Sequence, residues 1–280
     1  MNRLMRIVLL LALLAGISGC SHMKKWFSLP EEEIATPADM TSRQALTILK
    51  ESLPRQPGPF SGQASLRMGV KDRTYGGDAE VLLSPPGRFY FEFSGPLGAA
   101  AVAASDGSIL QVWNIREKKM GVMPAHEELT LMENLPVSAA DFTRMTAFLP
   151  PLPEEKDPGL KEKIRGYKNL DGTVQVMVRG DRGLVHVIDF DEFATPVRYG
   201  ILKDDRVVVV ARYYGQPVHA LLPYTTMKLS VPGRSYELTV KWRPDTIMAG
   251  VPTPPEAFRL SPPPFVTVFH GSFSLDLPTQ

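Results

Sequence analysis

A twelve-residue stretch of the chain alternates between two kinds of side chain, and this alternation constrains the fold more than any other feature. In residues 60–71, "FSGQASLRMGVK", apolar or small residues occupy the even positions, and polar or small residues occupy the odd ones. Successive side chains of a strand point to opposite faces of its sheet, so a period of two predicts a half-buried antiparallel strand. We therefore expect a sheet with one covered face.

Strand patterns of this kind recur at short spacing along the chain. Turn-forming stretches such as "SPPG" (84–87) and "SDG" (105–107) separate them. Strands that follow one another without intervening helices predict an antiparallel meander. The further strands are expected at about 75–83, 88–94, 99–105, 108–114, 118–123, 161–168, 173–179, 183–190, 195–203, 206–214, 217–222, 224–231, 235–243 and within 265–275.

Three amphipathic helices are predicted among the strands. Thr41 and Gln44 have capping-box spacing, which predicts the start of a helix over about 42–53. Residues 124–135 predict a second, short helix. Ser138 predicts the capped start of a third helix, whose apolar side carries Phe142, Met145 and Phe148.

These elements predict a mainly β domain with few helices, whose sheet faces must be covered. One long sheet that curls on itself, with helices in its concavity, meets this requirement. That architecture is an incomplete antiparallel β-barrel lidded by α-helices. Two packed sheets would meet the requirement as well, and alternation alone does not separate the two arrangements.

The first residues predict export from the cytoplasm. Arg3 and Arg6 precede "IVLLLALLAG" (7–16), an uncharged apolar run. A permanent membrane helix needs about 20 apolar residues, so this run is too short to be one. A basic start, a short apolar run and small residues at the cut are typical of a secretory signal peptide, which we place at residues 1–19.

The chain has one cysteine, and its position predicts a lipid anchor. "ISGC" (17–20) resembles the lipobox of bacterial lipoproteins, in which cleavage falls before a cysteine that is then acylated. We therefore expect lipidation at Cys20 and a flexible tether over residues 20–40. A single cysteine excludes a disulfide framework. Ser21 is not the aspartate that retains lipoproteins in the inner membrane of enteric bacteria, so outer-membrane sorting is favoured if that rule applies.

No motif in the sequence favours an enzyme. The five histidines lack metal-ligand spacing, and neither a G-x-S-x-G elbow nor a phosphate-binding glycine loop is present. His186 lies near acidic residues, but a strand would place His186 and Asp189 on opposite faces, so we expect a solvated strand end there. Lys and Arg number 31 against 30 Asp and Glu, with no basic stripe for nucleic acid. We expect no enzyme activity, no metal, no cofactor and no nucleic-acid partner.

Apolar side chains within the strand and helix patterns are the remaining functional signal. They are interpreted as the lining of a cavity for an acyl chain, because pockets for apolar ligands are lined in this way. The alternative is an ordinary core. The candidate residues are Phe60, Leu66, Met68, Phe89, Phe91, Phe93, Trp113, Phe142, Met145, Tyr236 and Trp242.

The order of these features resembles the LolB family, the outer-membrane receptors of the lipoprotein localisation system, which are related in fold to the periplasmic carrier LolA. The resemblance is carried by "FSGQASLRM" (60–68), "FYFEFSGPLGAAAVAASDGSILQV" (89–112) and "NLPVSAADFTRMTAFLP" (134–150). It covers residues 40–150 well. Over 160–243 only the strand pattern carries it, and beyond that the chain is longer than the family pattern.

The resemblance implies a half-barrel, here residues 41–260, that takes the acyl chains of lipoproteins from a LolA-like periplasmic carrier. It also implies a turn whose exposed leucine enters the membrane, and the matching turn is Pro96, Leu97 and Gly98. We expect a monomer, lipid-anchored at the periplasmic face of the outer membrane. Residues 261–280 lie outside the family pattern and could add a strand, cover the open barrel edge or bind a partner. The alternative function is a structural or partner-binding envelope lipoprotein with the same fold and a filled core.

Overall fold

The computed structural model describes residues 38–52, 58–70, 73–95, 98–127, 137–215, 222 and 224–270. Residue contacts divide the chain into Met1–Pro37 and Ala38–Gln280. All described residues lie in the second unit, which has its own buried core. The predicted signal peptide, Cys20, Pro96 and Leu97 lie outside the described residues.

The described residues form sixteen strands of one sheet. The strands of the first half are β1 (Ala38–Met40), β2 (Phe60–Val70), β3 (Arg73–Ser84), β4 (Arg88–Gly95), β5 (Gly98–Asp106), β6 (Ile109–Asn114) and β7 (Lys119–Pro124). Those of the second half are β8 (Ile164–Lys168), β9 (Val174–Arg179), β10 (Val185–Phe190), β11 (Pro196–Lys203), β12 (Arg206–Tyr214), β13 (Thr226–Ser230), β14 (Tyr236–Trp242), β15 (Met248–Ala249) and β16 (Thr267–His270).

Two antiparallel meanders, β2–β7 and β8–β14, lie side by side in this sheet. They are joined because β14 pairs antiparallel with β2, with Leu238 opposite Met68. The strand order is β1-β8-β9-β10-β11-β12-β13-β14-β2-β3-β4-β5-β6-β7-β16, and β15 pairs with β2 beside this path. One open sheet is thus formed, as the incomplete-barrel prediction requires, rather than two packed sheets.

Three α-helices accompany the sheet in the part of the chain that the structure describes: α1 (Ser42–Ser52), α2 (Ala139–Ala147) and α3 (Leu160–Lys163). Both predicted caps are confirmed. The Thr41 amide donates to Gln44 Oε1 at 2.9 Å, and the Gln44 amide donates to Thr41 Oγ1 at 3.3 Å. At α2, Ser138 and Asp141 form a complete capping box. Each cap satisfies backbone amides that a helix start leaves without partners.

Helix α2 connects the two meanders across the concave side of the sheet. The Phe142 ring lies 5.8 Å from the Phe91 ring of β4, centroid to centroid. At the other end of α2, the Phe148 ring lies 5.2 Å from the Tyr213 ring of β12, and Tyr213 Oη donates to the Met145 carbonyl at 2.6 Å. One short helix can reach both strands only because the sheet curls around it.

Two predicted elements between residues 124 and 163 differ from the structure. Pro124 ends β7 and residues 125–127 form a turn, so no helix begins at 124, and most of the predicted segment lies outside the described residues. Residues 161–163, predicted as strand, belong to α3. The chain turns before this helix, where the Asp157 carboxylate accepts the Gly159 amide at 2.8 Å and the Asp157 carbonyl accepts the Leu160 amide at 3.1 Å. The strand predicted at 217–222 lies largely outside the described residues.

The C-terminal segment adds the predicted extra strand, and Ala38–Met40 adds a strand within the stretch expected to be tether. Phe258 is only 1% exposed, and Leu260 exchanges two hydrogen bonds with the Gln111 side chain of β6. The segment then reaches the β6–β7 turn, where the Thr267 amide donates to the Lys118 carbonyl at 2.9 Å. Strand β16 consequently runs parallel to β7, unlike the antiparallel pairs of the meanders.

Candidate functional site

The predicted cavity-lining residues, with one exception, lie on the inner face of the sheet or on α2. Cross-strand register groups the strand residues on this face, for example Phe60 opposite Leu83 and Leu83 opposite Phe89. Together they form an apolar interior. Its members from the predicted set are Phe60, Leu66, Met68, Phe89, Phe91, Phe142, Met145, Tyr236 and Trp242, which belong to or pack against one core cluster, and Phe93, which is half-buried beside it.

Trp113 is the exception, and the prediction that it lines the interior was wrong. Its neighbours Leu110 and Val112 belong to the core cluster, so strand alternation turns Trp113 to the outer face. There it lies opposite Val102, on the face that the Phe258 segment also contacts. The buried indole Nε1 has no hydrogen-bond partner among the described residues.

Part of the apolar interior is accessible from outside. Leu66, Tyr75 and Phe93, on the inner faces of β2, β3 and β4, are half-buried rather than buried. The Phe93 ring lies across Gly77, because a Cβ at Gly77 would be only 2.8 Å from that ring. We call these four residues the apolar mouth. Phe60 and Phe89, nearer the other ends of β2 and β4, are fully covered.

Leu97 lies between two strand ends that are at the same side of the sheet as the apolar mouth. Gly95, the last residue of β4, pairs with Gly98, the first residue of β5. Gly98 has φ +91°, a conformation that glycine adopts at low cost. Pro96 and Leu97 lie outside the described residues, and the predicted exposure of Leu97 stays a prediction.

Two further turns expose large apolar side chains that the sequence reasoning missed. Leu170 in the β8–β9 turn is 82% exposed, and Phe193 in the β10–β11 turn is 79% exposed. Asp171 accepts the Thr173 amide and Asp191 accepts the Phe193 amide, so both turns are held by their own side chains. The available signal was an apolar residue inside each of the turn sequences "NLDGT" and "DEFAT".

His186 is buried inside the sheet, so the prediction of a solvated strand end was wrong. Its Nδ1 lies 2.8 Å from Tyr199 Oη, and a Cβ at Gly180 would be 2.4 Å from its Nε2. Gly180 therefore provides the space for the ring. Asp189 lies on the outer face and pairs with Arg198 at 2.7 Å, which confirms that His186 and Asp189 face opposite sides.

Burial changes the acid–base behaviour of the interior tyrosines. Burial raises the pKa of the Tyr199 hydroxyl well above its usual range, and the nearby Asp141 carboxylate raises it further. Burial likewise raises the pKa of Tyr213, and it raises the pKa of Tyr224 to about 12. These hydroxyls stay neutral at physiological pH, so they can donate hydrogen bonds inside the barrel.

A buried carboxylate ties α2 to the surrounding loops. Asp141 Oδ2 accepts the Ser138 hydroxyl at 2.7 Å, and Arg144 and Arg182 approach Asp141 at 3.4 and 3.7 Å. The Arg182 guanidinium also donates to the His126 carbonyl. The β9–β10 turn thereby meets the segment after β7, which closes part of the gap between the two meanders. We assign this arrangement a structural role, because the Asp141 carboxylate already accepts the capping hydrogen bonds and lies beside two arginines.

Comparison with known proteins shows the fold alone. Neither a protein-family model nor a curated protein matches the sequence. A solved DUF1329 family protein from Desulfovibrio piger matches with a TM-score of 0.53 and 10% identity, over 78% of this chain and 95% of that one. A putative outer membrane lipoprotein-sorting protein domain from Vibrio parahaemolyticus matches with a TM-score of 0.50 and 7% identity, over 78% and 97%. A LolA superfamily protein from Nitrosomonas europaea has a TM-score of 0.49 and 13% identity, over 79% and 98%.

The two likenesses with TM-scores of 0.50 and 0.53 agree with the fold class that the structure shows. The described residues form a mainly β structure with three helices and an open, curled sheet of many strands. The predicted fold class is confirmed. Among the described residues, no helix is long and apolar enough to cross a membrane.

Proposed function

We propose that this chain is a lipid-anchored, acyl-chain-binding protein that receives lipoproteins from a LolA-like periplasmic carrier and inserts them into the outer membrane. The observation that carries the proposal is the apolar interior, whose half-buried residues at the apolar mouth lie at the strand ends that Gly95 and Gly98 mark. The similarity in fold to a lipoprotein-sorting protein domain supports it. Acylated Cys20 would hold the protein, as a monomer, at the periplasmic face of the outer membrane.

The chemistry of such a transfer needs only a difference in affinity. A difference of about 1.4 kcal/mol shifts a partition tenfold, and about two more buried CH₂ groups supply it. Leu97 would assist the last step, because a leucine at a turn tip regains about 1.5–3 kcal/mol when it leaves water for lipid. A cargo chain leaving through the apolar mouth would then meet the bilayer that this leucine has entered.

The test is a release assay in which the protein, loaded with an acylated lipoprotein, is mixed with liposomes. We expect Leu97→Glu to keep the cargo bound and to slow its release into the liposomes at least tenfold, because a carboxylate resists entry into lipid. Leu170→Glu is the matched control, since it places the same charge at another exposed turn. It should release cargo at the wild-type rate.

Three outcomes of this assay count against the proposal. Equal release by the wild type and Leu97→Glu would remove the role of Leu97. Slow release by Leu170→Glu alone would move the membrane contact to the β8–β9 turn. A wild-type protein that never takes up the cargo would contradict acyl binding itself.

One observation favours the alternative function of a structural or partner-binding envelope lipoprotein. Predicted lining residues such as Phe60, Met145 and Trp242 are almost completely covered by their neighbours. Protein interiors without a ligand are packed to this degree. If the interior does not open, the protein acts through its surface, and purified protein will ignore acylated peptides.

A further inference from the structure

Two neighbouring turns at one end of the sheet hold apolar side chains in water. Leu170 in the β8–β9 turn and Phe193 in the β10–β11 turn are the two most exposed large apolar side chains among the described residues. The turns lie side by side, because a Cβ built on Gly172 would be 3.5 Å from the Cβ of Glu192. Tyr214, at the same end of β12, is also exposed. We call Leu170 and Phe193 the apolar tips.

Each of the two turns is held by its own hydrogen bonds. In turns 169–173 and 191–195, the amide of the first residue donates to the carbonyl of the fifth at 2.9 Å. The carboxylates of Asp171 and Asp191 each accept a further amide of their own turn. The turns therefore keep their shape without any packing of the apolar tips, which stay in water at a cost in free energy until something covers them.

The described part of the chain begins at the same end of the sheet as the apolar tips. Strand β1 pairs antiparallel with β8, and Ala38 lies opposite Lys168, the last residue of β8 before the turn that holds Leu170. A lipid anchor at Cys20 is connected to the sheet through residues 21–37 and then Ala38. The anchor is therefore attached at the end of the sheet that carries the apolar tips.

The charged residues around the apolar tips favour neutral lipid over anionic lipid. Residues 168–174 and 190–196, which comprise both turns and the strand residues beside them, contain three acids and one lysine. Anionic headgroups attract basic segments and repel acidic ones. A membrane contact at this end would therefore depend on the burial of apolar area rather than on charge.

We propose that the apolar tips contact the bilayer that holds Cys20, and that this contact sets the orientation in which the protein receives its cargo. The tips lie at the opposite end of the sheet from Gly95 and Gly98, and so from the apolar mouth. With the tips in the bilayer, the mouth faces away from the membrane, toward a periplasmic carrier. The inference rests on the proposed function for the anchor and the carrier only; the exposure and position of the tips stand independently.

A bilayer fits the apolar tips better than a protein partner does. The tips project from two separate turns, and lipid surrounds a projecting side chain without the need for a matching pocket. The attachment of the anchor at this end of the sheet supplies the bilayer at the required place.

Release at Leu97 requires the opposite orientation, and the length of the tether permits it. A chain of seventeen residues, the length of 21–37, spans at most about 60 Å when extended, whereas the twelve-residue strand β3 is about 40 Å long. The protein can thus turn over on its anchor. In the release orientation the apolar tips face away from the bilayer, so a charge at Leu170 leaves release unchanged.

The test uses residues 21–280, which contain no cysteine, so one introduced cysteine carries a single polarity-sensitive fluorophore. Phosphatidylcholine vesicles are added to labelled Leu170→Cys and to labelled Phe193→Cys. We expect the emission of both labels to shift to shorter wavelength, and quenchers on the lipid chains to reduce it. Ser65→Cys, at an exposed position in the middle of β2, is the control and should show neither change.

Vesicle binding gives a second readout that needs no label. The Leu170→Ser and Phe193→Ser double variant should bind phosphatidylcholine vesicles at least about tenfold more weakly than the wild type, because two large apolar side chains are lost. Both positions are exposed, so the fold should not change. Phosphatidylglycerol in the vesicles should not strengthen wild-type binding, and a requirement for it would overturn the proposal.

The remaining outcomes separate this membrane contact from the proposed function. Labels at residues 170 and 193 that stay unshifted, with vesicle binding lost only in Leu97→Glu, would overturn the proposal and leave release at Leu97 intact. A double variant that binds vesicles normally but takes up less cargo from a carrier would assign the tips to a protein partner, which would also overturn it. Shifted labels in a protein that takes up no cargo would support the membrane contact and contradict the proposed function.

Discussion

Polar side chains inside the curled sheet have specific partners, as the apolar side chains do. Tyr199 and His186 face each other on neighbouring strands, and Gly180 leaves room for the imidazole. The sequence placed His186 and Asp189 on opposite faces, but it predicted a solvated strand end where His186 is in fact buried. Alternation shows which residues of a strand share a face, but it does not show which face the helices cover. The same ambiguity explains the wrong prediction for Trp113.

The buried hydroxyl of Tyr199 makes stability depend on alkaline pH. Burial raises its pKa, so this contribution is complete below the unfolded-state pKa of about 10 and is lost as the pH rises above that value. Each such tyrosine adds up to about 1.4 kcal/mol per pH unit to the fall in unfolding free energy. We expect Tyr199→Phe to reduce this slope by that amount in urea titrations above pH 10.

The matched control for this prediction is Tyr214→Phe, at a half-exposed position on β12. It should leave the slope at its wild-type value. Loss of the bond to His186 costs Tyr199→Phe about 1 kcal/mol at neutral pH, an offset that does not alter the slope. An unchanged slope in Tyr199→Phe would contradict the buried neutral hydroxyl.

At the scale of elements, close approach of α1 to β8 depends on a glycine. A Cβ at Gly166 would lie 2.8 Å from the Ala45 Cβ of α1 and 3.3 Å from the Met40 Cβ of β1. Gly166→Ala should therefore push α1 away from the sheet and lower the unfolding free energy by about 1–3 kcal/mol. Chemical denaturation measures this change in unfolding free energy.

Gly58→Ala is the control for that variant, because a Cβ there meets no atom within 4 Å. It should change the unfolding free energy by less than about 0.5 kcal/mol. Equal unfolding free energies for the two alanine variants would contradict the close contact between α1 and Gly166.

Removal of the buried Phe258 ring should detach the C-terminal segment from the sheet. Phe258→Ala should lower the unfolding free energy by about 3–5 kcal/mol and speed hydrogen exchange of the Thr267 amide, which begins β16. Phe265→Ala, at a 64% exposed position, is the control and should alter neither quantity appreciably. Unchanged exchange at Thr267 in Phe258→Ala would show that β16 is held independently of this ring.

The sequence was informative about elements wherever a local rule governed them. The two caps and the alternation in β2 depend on neighbours within a few residues, so Thr41, Ser138 and the 60–71 pattern predicted them. The parallel β16 depends on a path across the outer face, and its contacts join Leu260 to Gln111 over a long separation. No local sequence pattern carries such information.

At the scale of the whole molecule, the two faces of the sheet differ in chemistry. The inner face carries the apolar interior and a short helix that spans it, while the outer face carries ion pairs such as Arg198–Asp189 and Lys228–Glu237. The ten predicted lining residues other than Trp113 could be found from sequence because all lie on apolar faces of regular elements. Their accessibility to solvent could not be predicted from the sequence, because it depends on how far the sheet curls around α2.

The measurement that tests acyl binding most directly is native mass spectrometry of residues 21–280 mixed with an acylated lipopeptide. We predict a one-to-one complex for the wild type and its loss in Phe93→Asp, which places a carboxylate at a half-buried position of the apolar mouth. Phe265→Asp, on the C-terminal segment, should keep the complex. A wild-type protein that stays free of lipopeptide, or a Phe93→Asp variant that binds it equally well, would contradict an acyl-binding interior that opens at the apolar mouth.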